Sequence, residues 1–274
     1  MMTTHLSPLY LGIDTGGTYT DGVLFDPQTR RVIQTVKVLT THHDLRLCIA
    51  EALDHLLPEQ ASRISLVSLS TTLATNAIAE GKRKPVALLL LGYNPDLVHR
   101  FNFHRQFGAN HCFFIRGRHG LNGIEQEPLD QAEVARVTDL IKGKVEAFAV
   151  SSYGGPGNAS HEERAGEIIS QASGLPVVQA HHLSSELDSI RRATTASLNA
   201  SLLSNTEEFL TAVQEMLTRR GIHSQTLIVR GDGSLARADF VRQRPVEIIH
   251  SGPATSTIGG QYLANVDTAL VIGI

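Results

Sequence analysis

The stretch that decides the fold is LYLGIDTGGTYTDGVLFD, residues 9–26. A short apolar run ends at Asp14, a polar segment with two glycines and three threonines follows, and an apolar run resumes at Val23. This order predicts two antiparallel strands joined by a polar turn.

The residue types of this turn favour binding of an anion. Gly16 and Gly17 allow backbone conformations closed to other residues and let a ligand come close to the chain. Successive N–H groups in such a turn can form a concave anion site. Thr15, Thr18 and Thr20 add uncharged hydroxyl donors, so we interpret the segment as a phosphate-binding turn.

Two carboxylates flank the turn and call for a cation. Asp14 and Asp21 are poor direct partners for a phosphate, but they fit the site if a divalent ion such as magnesium lies between carboxylate and phosphate. The alternative is an ordinary Gly-Gly hairpin with polar decoration. The density of hydroxyls and the flanking acids favour the phosphate-binding turn.

Two common nucleotide-binding motifs are excluded here. The dinucleotide fingerprint needs G-x-G-x-x-G at the start of a helix, whereas here a strand continues after the glycines. A Walker loop needs Gly-Lys followed by Ser or Thr, and this stretch has none.

Composition sets limits on the class of protein. The chain has 274 residues, of which 42% are hydrophobic and 19% charged, with a net charge of −3. This is enough for one large or two ordinary domains, and it gives no sign of a nucleic-acid or membrane-surface role. Cys48 falls in an apolar helical pattern and is expected to be a buried thiol. The only other cysteine is Cys112, and nothing in the sequence indicates a disulfide between the two. We therefore expect the protein to be located in a reducing cytoplasm.

Apolar periodicity predicts the other elements. We expect strands at 31–40, 64–70, 85–91, 146–151, 176–180 and 226–230, and helices at 44–57, 127–141, 159–172 and 188–203. Pro58 is expected to close the first of these helices. Residues 92–118 are less regular, and their phenylalanines are expected to pack a subsidiary core. The alternation of strands and helices favours an α/β fold with a largely parallel sheet.

A second polar stretch, STTLATNA at residues 70–77, stands between a strand and a short helix that we expect to end near Gly81. Such junctions are favoured ligand sites in open α/β sheets. The simpler interpretation is a helix cap made by Ser70 or Thr71.

Two later stretches are also candidates. Arg192, Thr195 and Asn199 share one face of the helix predicted at 188–203, although a polar helix face is usually just solvated. The stretch SGPA at 251–254 suits the start of a helix, with proline in the first turn. Because G-x-S-x-G is absent, we interpret Ser251 as part of a helix-start turn near a ligand, and not as a nucleophile.

The thirteen histidines show no spacing typical of a zinc site. We expect them to be surface or loop residues, including the pairs at 42–43 and 181–182 and the single residues His104, His111 and His119.

These stretches together resemble one family. DTGGTYTD at 14–21 resembles the first phosphate loop of the hydantoinase A / 5-oxoprolinase family, which belongs to the actin, sugar-kinase and heat-shock-chaperone ATPase superfamily. The stretch at 70–77 is similar to the family signature Thr-Thr-x-Ala-Thr-Asn-Ala, and SGPA matches another. Two departures stand out: Leu69 and Ser70 replace the usual His-Gly, and the acid of the family's acid-arginine pair is missing near Arg192.

The resemblance implies an actin-like ATPase (ribonuclease H-like) lobe, with a mixed sheet flanked by helices, plus an α/β subdomain. We expect an N-terminal hydantoinase/oxoprolinase domain at 8–186 and the beginning of the hydantoinase A domain at 187–274. Residues 269–274 resemble residues 9–13, so we expect the chain to end just before a second phosphate loop, with the second lobe missing. Chance similarity of two apolar strands is the alternative.

The resemblance also implies ATP-dependent opening of a cyclic amide, such as hydantoin or 5-oxoproline. In this chemistry ATP would phosphorylate the amide oxygen, and magnesium would neutralise the phosphates. The residues assigned on this basis fall into three sets. Asp14 would support the metal and act in catalysis with Thr72 and Asn76; Thr15, Gly16, Gly17, Thr18, Thr20 and Asp21 would bind the cofactor; Thr75, Ser251 and Gly252 would face the substrate side.

The implied partners are a hydantoinase B-type subunit or the missing C-terminal lobe. Family members also serve as carboxylase subunits, so the substrate class stays open. A small-molecule kinase of the same superfamily and a non-catalytic partner-binding lobe are the alternatives. Because nucleotide sites of this superfamily lie between two lobes, we expect one lobe alone to have weak or no ATPase activity.

Overall fold

The computed structural model describes residues 7–41, 43–56, 61–264, 268 and 270. They form two compact units, one within Met1–Gly81 and Asn205–Ile274, the other within Lys82–Ser204. The first unit is therefore built from both ends of the chain. His42, the predicted helix end at Pro58 and residues 269 and 271–274 of the last apolar stretch lie outside the described residues.

Twelve strands and nine helices make up the described structure. The strands are β1 (Leu9–Thr15), β2 (Tyr19–Asp26), β3 (Arg31–Leu39), β4 (Ile64–Thr71), β5 (Val86–Leu91), β6 (His111–Ile115), β7 (Arg118–His119), β8 (Glu125–Glu127), β9 (Ala147–Ser152), β10 (Val177–Gln179), β11 (Gln225–Val229) and β12 (Leu235–Arg237). The helices are α1 (Leu45–Leu56), α2 (Leu73–Ala79), α3 (Pro95–Arg100), α4 (Gln131–Ile141), α5 (Ser160–Ser173), α6 (Ala180–Leu183), α7 (Ser189–Arg219), α8 (Ala238–Gln243) and α9 (Ser251–Ala264).

The first unit contains a mixed sheet in the order β12-β11-β4-β1-β2-β3. β1 pairs antiparallel with β2 and parallel with β4, and β4 pairs parallel with β11. Alternate residues of β1, namely Leu9, Leu11 and Ile13, are buried on one face, as the two-residue period of a strand requires. The predicted mixed sheet flanked by helices is confirmed.

Helix α1 covers this buried face. Its apolar positions repeat at helical spacing, and Cys48 is fully buried among them. The thiol of Cys48 donates to the carbonyl of Leu45 at 3.0 Å. The expected buried thiol is therefore confirmed.

The second unit has a parallel sheet in the order β10-β9-β5-β6. All six residues of β5 are fully buried, because alternate side chains enter separate hydrophobic clusters on the two faces of the sheet. A strand covered on both faces reads as a continuous apolar run, which is how it was predicted at 85–91. Phe107 is buried in one cluster, and Phe103 and Phe114 pack against it, in line with the expected subsidiary core.

Two elements differ from the sequence-based expectations. Residues 111–115 form β6, which extends the parallel sheet from the edge of β5, although 92–118 was expected to be irregular. The helix predicted at 188–203 continues to Arg219 as α7. Its apolar residues continue through Phe209 and Val213, and no glycine or proline interrupts it before Gly221, whose φ is +75°.

We expect Leu89→Ala to lower the free energy of unfolding by about 2–5 kcal/mol, because it leaves a cavity in a fully buried strand. Urea denaturation followed by circular dichroism measures the change. Leu121→Ala, at an exposed position of the same unit, is the control and should shift stability by less than about 0.5 kcal/mol. An unchanged unfolding midpoint for Leu89→Ala would contradict the buried position of β5.

Candidate functional site

The predicted strand–turn–strand is present as β1, residues 16–18 and β2. Asp14 lies directly opposite Asp21, and Thr15 lies opposite Thr20. The N–H of Gly16 donates to the carbonyl of Tyr19 at 3.0 Å and closes the turn.

The tip of the turn contains backbone N–H groups that could donate to a ligand. Gly17 and Thr18 are exposed, and their N–H groups donate no hydrogen bond within the described part of the chain. A Cβ atom added to Gly17 would meet nothing within 4 Å, whereas one added to Gly16 would lie 2.9 Å from the Tyr19 carbonyl oxygen. Adjacent N–H groups without a protein partner in an exposed turn can form a binding site for an anion such as phosphate.

The Asp14 carboxyl group is half-buried between the turn and β4. Burial raises its pKa, the neighbouring Ser70 hydroxyl opposes the shift, and the charge of Asp21 adds to it. Neither Oδ1 of Asp14 nor Oγ of Ser70 makes a hydrogen bond of ordinary geometry to any described residue, although both atoms are buried. Such an orphaned carboxylate oxygen fits a bound cation, since a hard divalent ion takes oxygen ligands.

Asp21 is more exposed and already has a cation beside it. Its carboxylate accepts hydrogen bonds from Nζ of Lys37 at 3.0 and 3.2 Å, and the same ammonium group lies 4.8 Å from the centre of the Tyr19 ring. Lys37 was not anticipated from the sequence. The alternation along β3, with Lys37 opposite Asp21, is the signal that could have found it.

A cavity of about 250 Å³ opens on the sheet face that carries Asp14. Its polar lining comes from Asp14, Asp21, Thr35, Ser68, Ser70 and Thr255. Gly12 and Gly22 also line this cavity. A cavity of similar volume next to Leu210 and Asp239 contains none of the predicted site residues.

Two of the predicted motifs meet beside the turn. Both the N–H and the hydroxyl of Thr72 donate to the carbonyl of Thr15, at 3.0 and 3.1 Å. The amide of Asn76 in turn donates to the Thr72 hydroxyl at 3.1 Å. The threonine-rich stretch is therefore tied to the last residue of β1. The N-cap residue of α2 is Thr72, and its side chain makes no capping hydrogen bond. The expected cap by Ser70 or Thr71 is therefore wrong, although the Thr71 hydroxyl accepts from the N–H of Leu73 at 3.1 Å.

The SGPA stretch begins α9, as predicted. The Ser251 hydroxyl is buried, donates to the carbonyl of Thr71 at 3.0 Å and accepts from its N–H at 3.4 Å. The Thr75 hydroxyl accepts from the N–H of His250 at 3.4 Å. These bonds bring Thr75, Ser251 and Gly252 to the end of β4, and a Cβ atom on Gly252 would face open space.

Two assigned threonines point away from the turn. Thr20 is fully buried, and its hydroxyl is within 3.1 Å of Thr40 Oγ1 and of Cys48 Sγ. The Thr15 side chain is buried on the same face. Their hydroxyls thus lie in the core under α1, because odd-numbered residues of β1 and their partners in β2 face inward. Only Thr18 keeps an exposed threonine side chain at the tip.

Two expectations drawn from polar residues were wrong. Arg192 is not on a solvated face: it is 1% exposed, and its guanidinium donates to the carbonyls of Glu186, Ser152 and Tyr153. His119 is not a surface histidine either, since it is 2% exposed. In both cases residues distant in sequence provide the cover, which local patterns do not record.

Sequence comparison identifies the family. The family described as hydantoinase/oxoprolinase N-terminal region matches residues 10–173, and the family described as hydantoinase/oxoprolinase matches residues 192–274. The chain belongs to the hydantoinase/oxoprolinase family. The resemblance read from the motifs is therefore confirmed.

Two curated relatives are similar over 93% of the chain. Caprolactamase subunit alpha of Pseudomonas jessenii is 30% identical, and the match covers 40% of that protein. Acetophenone carboxylase gamma subunit of Aromatoleum aromaticum is 25% identical, with 39% of that protein covered. The chain thus spans about two fifths of the length of these relatives.

Two solved structures share the fold. The ATP-dependent caprolactamase of Pseudomonas jessenii superimposes with a TM-score of 0.79 at 28% identity, covering 93% of this chain and 40% of that one. Nucleotide-free acetone carboxylase gives a TM-score of 0.79 at 19% identity, covering 95% and 41%. These relatives support the actin-like ATPase fold. No helix among the described residues is long and apolar enough to cross a bilayer.

The raised pKa of Asp14 predicts that its charge costs stability. In the unfolded chain the carboxyl loses its proton near the ordinary pKa of 3.8, whereas the folded protein retains it to higher pH. Folding is therefore favoured less as the pH rises through this window. Asp14→Asn should be more stable than the wild type above the window, and this advantage should shrink as the pH falls towards 3.8.

Urea unfolding at a series of pH values measures this difference. Asp139→Asn, at an exposed carboxylate paired with Lys142, is the control and should show no such gain. If Asp14→Asn is the less stable protein at neutral pH, favourable contacts hold the Asp14 charge and the assigned cost of burial is wrong.

Proposed function

We propose that this chain is the N-terminal part of an ATP-dependent enzyme that opens a cyclic amide, and that the β1–β2 turn binds the phosphates of magnesium-bound ATP. One observation carries the proposal. The turn contains two N–H groups without a protein partner, those of Gly17 and Thr18, and a buried carboxylate oxygen of Asp14 that also lacks one. The N–H groups suit phosphate oxygens, and the carboxylate suits the ion that accompanies them.

The names of the relatives support this substrate class. Caprolactamase, whose alpha subunit is 30% identical over this region, is named for a lactam, which is a cyclic amide. When bound, ATP would supply a phosphoryl group to the amide oxygen, which would make the amide carbon electrophilic enough for attack by water, with the ring nitrogen leaving as an amine and the phosphoryl group released as inorganic phosphate. The chain's own residues have to hold the phosphates, orient the amide and limit access of bulk water.

The contacts of the individual residues support the roles that we propose for them. Gly16 closes the turn, and Gly17 leaves room for the ligand. Asp14 would hold magnesium directly or through water, with Asp21 beside it and Lys37 balancing the second carboxylate. Thr20 and Thr15 support the turn from the core side. We do not assign their hydroxyls to the phosphate.

The substrate side is assigned to the residues that surround the end of β4. Thr72 and Asn76 form a hydrogen-bonded chain onto the Thr15 carbonyl, so a movement of the turn would reach them. Thr75 and Gly252 lie next to this chain, and Ser251 holds the start of α9 in place. In this proposal Ser251 is a positioning residue.

A carboxylase subunit is the second candidate. It is favoured by the match to the acetophenone carboxylase gamma subunit, which covers the same 93% of the chain. The two candidates share ATP and differ in the product. A ring-opened amino acid would identify the hydrolase, and incorporation of labelled bicarbonate into a ketone would identify the carboxylase.

We expect magnesium-dependent binding of ATP to be weak in the chain alone, with a dissociation constant of about 1 mM, because one lobe supplies only part of the phosphate ligands. Asp14→Asn should abolish the magnesium dependence, since the ion loses its carboxylate. Calorimetric titration with ATP, in the presence and absence of magnesium, measures the dissociation constant and its magnesium dependence. Asp139→Asn should bind like the wild type, and equal binding by Asp14→Asn would remove Asp14 from the site.

We also expect ATP hydrolysis by the chain alone to stay near the uncatalysed rate. Adding a polypeptide that supplies the C-terminal three fifths of a matching relative should raise it, because phosphate donors from both lobes would then surround the nucleotide. Release of inorganic phosphate is the measurement. Fast turnover by the pure chain would refute the shared-site proposal.

A further inference from the structure

A second group of potential ligands lies in the other compact unit. His119 on β7 is paired across the β7–β8 hairpin with Glu125, and His161 on the first turn of α5 lies against both. We call these three residues the histidine cluster. Each offers one ligand atom, and the three atoms lie within 4.8 Å of one another.

The two imidazoles of the histidine cluster are in direct contact. Their ring centres are 3.9 Å apart with the planes inclined by 47°. Nε2 of His161 is 2.8 Å from Oε1 of Glu125, and Nε2 of His119 is 3.5 Å from the Ser160 hydroxyl. Two nitrogen donors and one carboxylate oxygen therefore converge on one point of the hairpin.

Both histidines have nitrogens without a protein partner. His119 is 2% exposed and His161 is 5% exposed, yet Nδ1 of each makes no hydrogen bond to any residue that the structure describes. An unsatisfied buried imidazole nitrogen normally costs stability. Two such atoms side by side call for a ligand between or beside the rings.

The charges around the cluster suit a cation. Glu125 adds a negative charge and is half-exposed, at 54%. Glu162 follows His161 in sequence but is directed elsewhere, because its carboxylate accepts from Ser152 and His181.

We propose that the histidine cluster binds one divalent transition-metal ion, with zinc as the type case. Two imidazoles and one carboxylate are a common ligand set for zinc, with bond lengths of about 2.0–2.2 Å. The 4.8 Å limit is slightly wider than a closed site needs, so binding requires a small inward movement.

Three protein ligands leave a fourth position on zinc for water or a ligand. The exposed side of the cluster is where Glu125 meets solvent, so the fourth position would face outward.

The backbone is closely packed around the histidine cluster. A Cβ atom on Gly154 would lie 2.4 Å from the His119 carbonyl oxygen, and one on Gly117 would lie 3.4 Å from Nδ1 of His161.

The test uses the full chain, freed of metal with a chelator, and zinc or cobalt ions alone as probes. We expect one equivalent of cobalt to give the intense visible bands of a tetrahedral site, and one equivalent of zinc to displace it and raise the melting temperature. His119→Ala and Glu125→Gln should each weaken zinc binding by at least about tenfold. His223→Ala, at an exposed histidine of the other unit, should bind like the wild type.

The outcomes separate the possibilities. Absence of the tetrahedral spectrum in the wild type means that the cluster is only a hydrogen-bonded His–Glu pair, and the proposal is wrong. Equal affinity in the wild type and both variants means that zinc binds to surface histidines, which also overturns it. Glu125→Gln changes an exposed side chain, so it remains informative if His119→Ala fails to fold. ATP binding is a separate measurement, so the two proposals fail independently.

Discussion

The position of β1 in the centre of the first sheet is the constraint on which the candidate site depends. β1 is hydrogen-bonded to an antiparallel strand on one side and to a parallel strand on the other. This double pairing sets Asp14 opposite Asp21 in β2 and beside Ser70 in β4. It also places the carbonyl of Thr15 where Thr72 can donate to it twice. Turn, acid pair and threonine stretch are therefore positioned by one strand.

The same arrangement explains why polar groups stay unsatisfied at this point. Partial burial disfavours the charged form of the Asp14 carboxyl group, and the neighbouring charge of Asp21 disfavours it further. These two effects raise the pKa of Asp14. Elsewhere in the first unit, buried polar atoms such as the hydroxyls of Thr20 and Ser251 have partners. A destabilised charged group that lines a cleft is typical of a binding site.

The two units use their sheets differently. The mixed sheet of the first unit leaves part of one face open, where polar and small residues line the cavity beside Asp14. The parallel sheet of the second unit is covered on both faces by apolar clusters. Its polar chemistry lies instead at the β7–β8 hairpin and the start of α5, where backbone turns rich in glycine leave space for the histidines.

Local patterns were sufficient for much of the fold. The alternation in β1 and β2, the apolar run of β5 and the helical spacing of α1 and α4 depend on near neighbours, and these elements form close to where they were predicted. β6 was missed because its edge position and mixed residues show no clear period. The extension of α7 was missed although its apolar residues continue past residue 203 and no glycine or proline interrupts the helix before Gly221.

The sequence by itself determined the strand–turn–strand and the family, and its glycines, threonines and acids are the basis of the proposal that the turn binds phosphate. Those features depend on residue type and on spacing within a few positions, which are local quantities. Only the tertiary structure decided that Thr20 faces the core, that Arg192 is buried, that Lys37 pairs with Asp21 and that His119, Glu125 and His161 converge. Each of these depends on which distant segments become neighbours, because strand register and helix packing set the direction in which a side chain points.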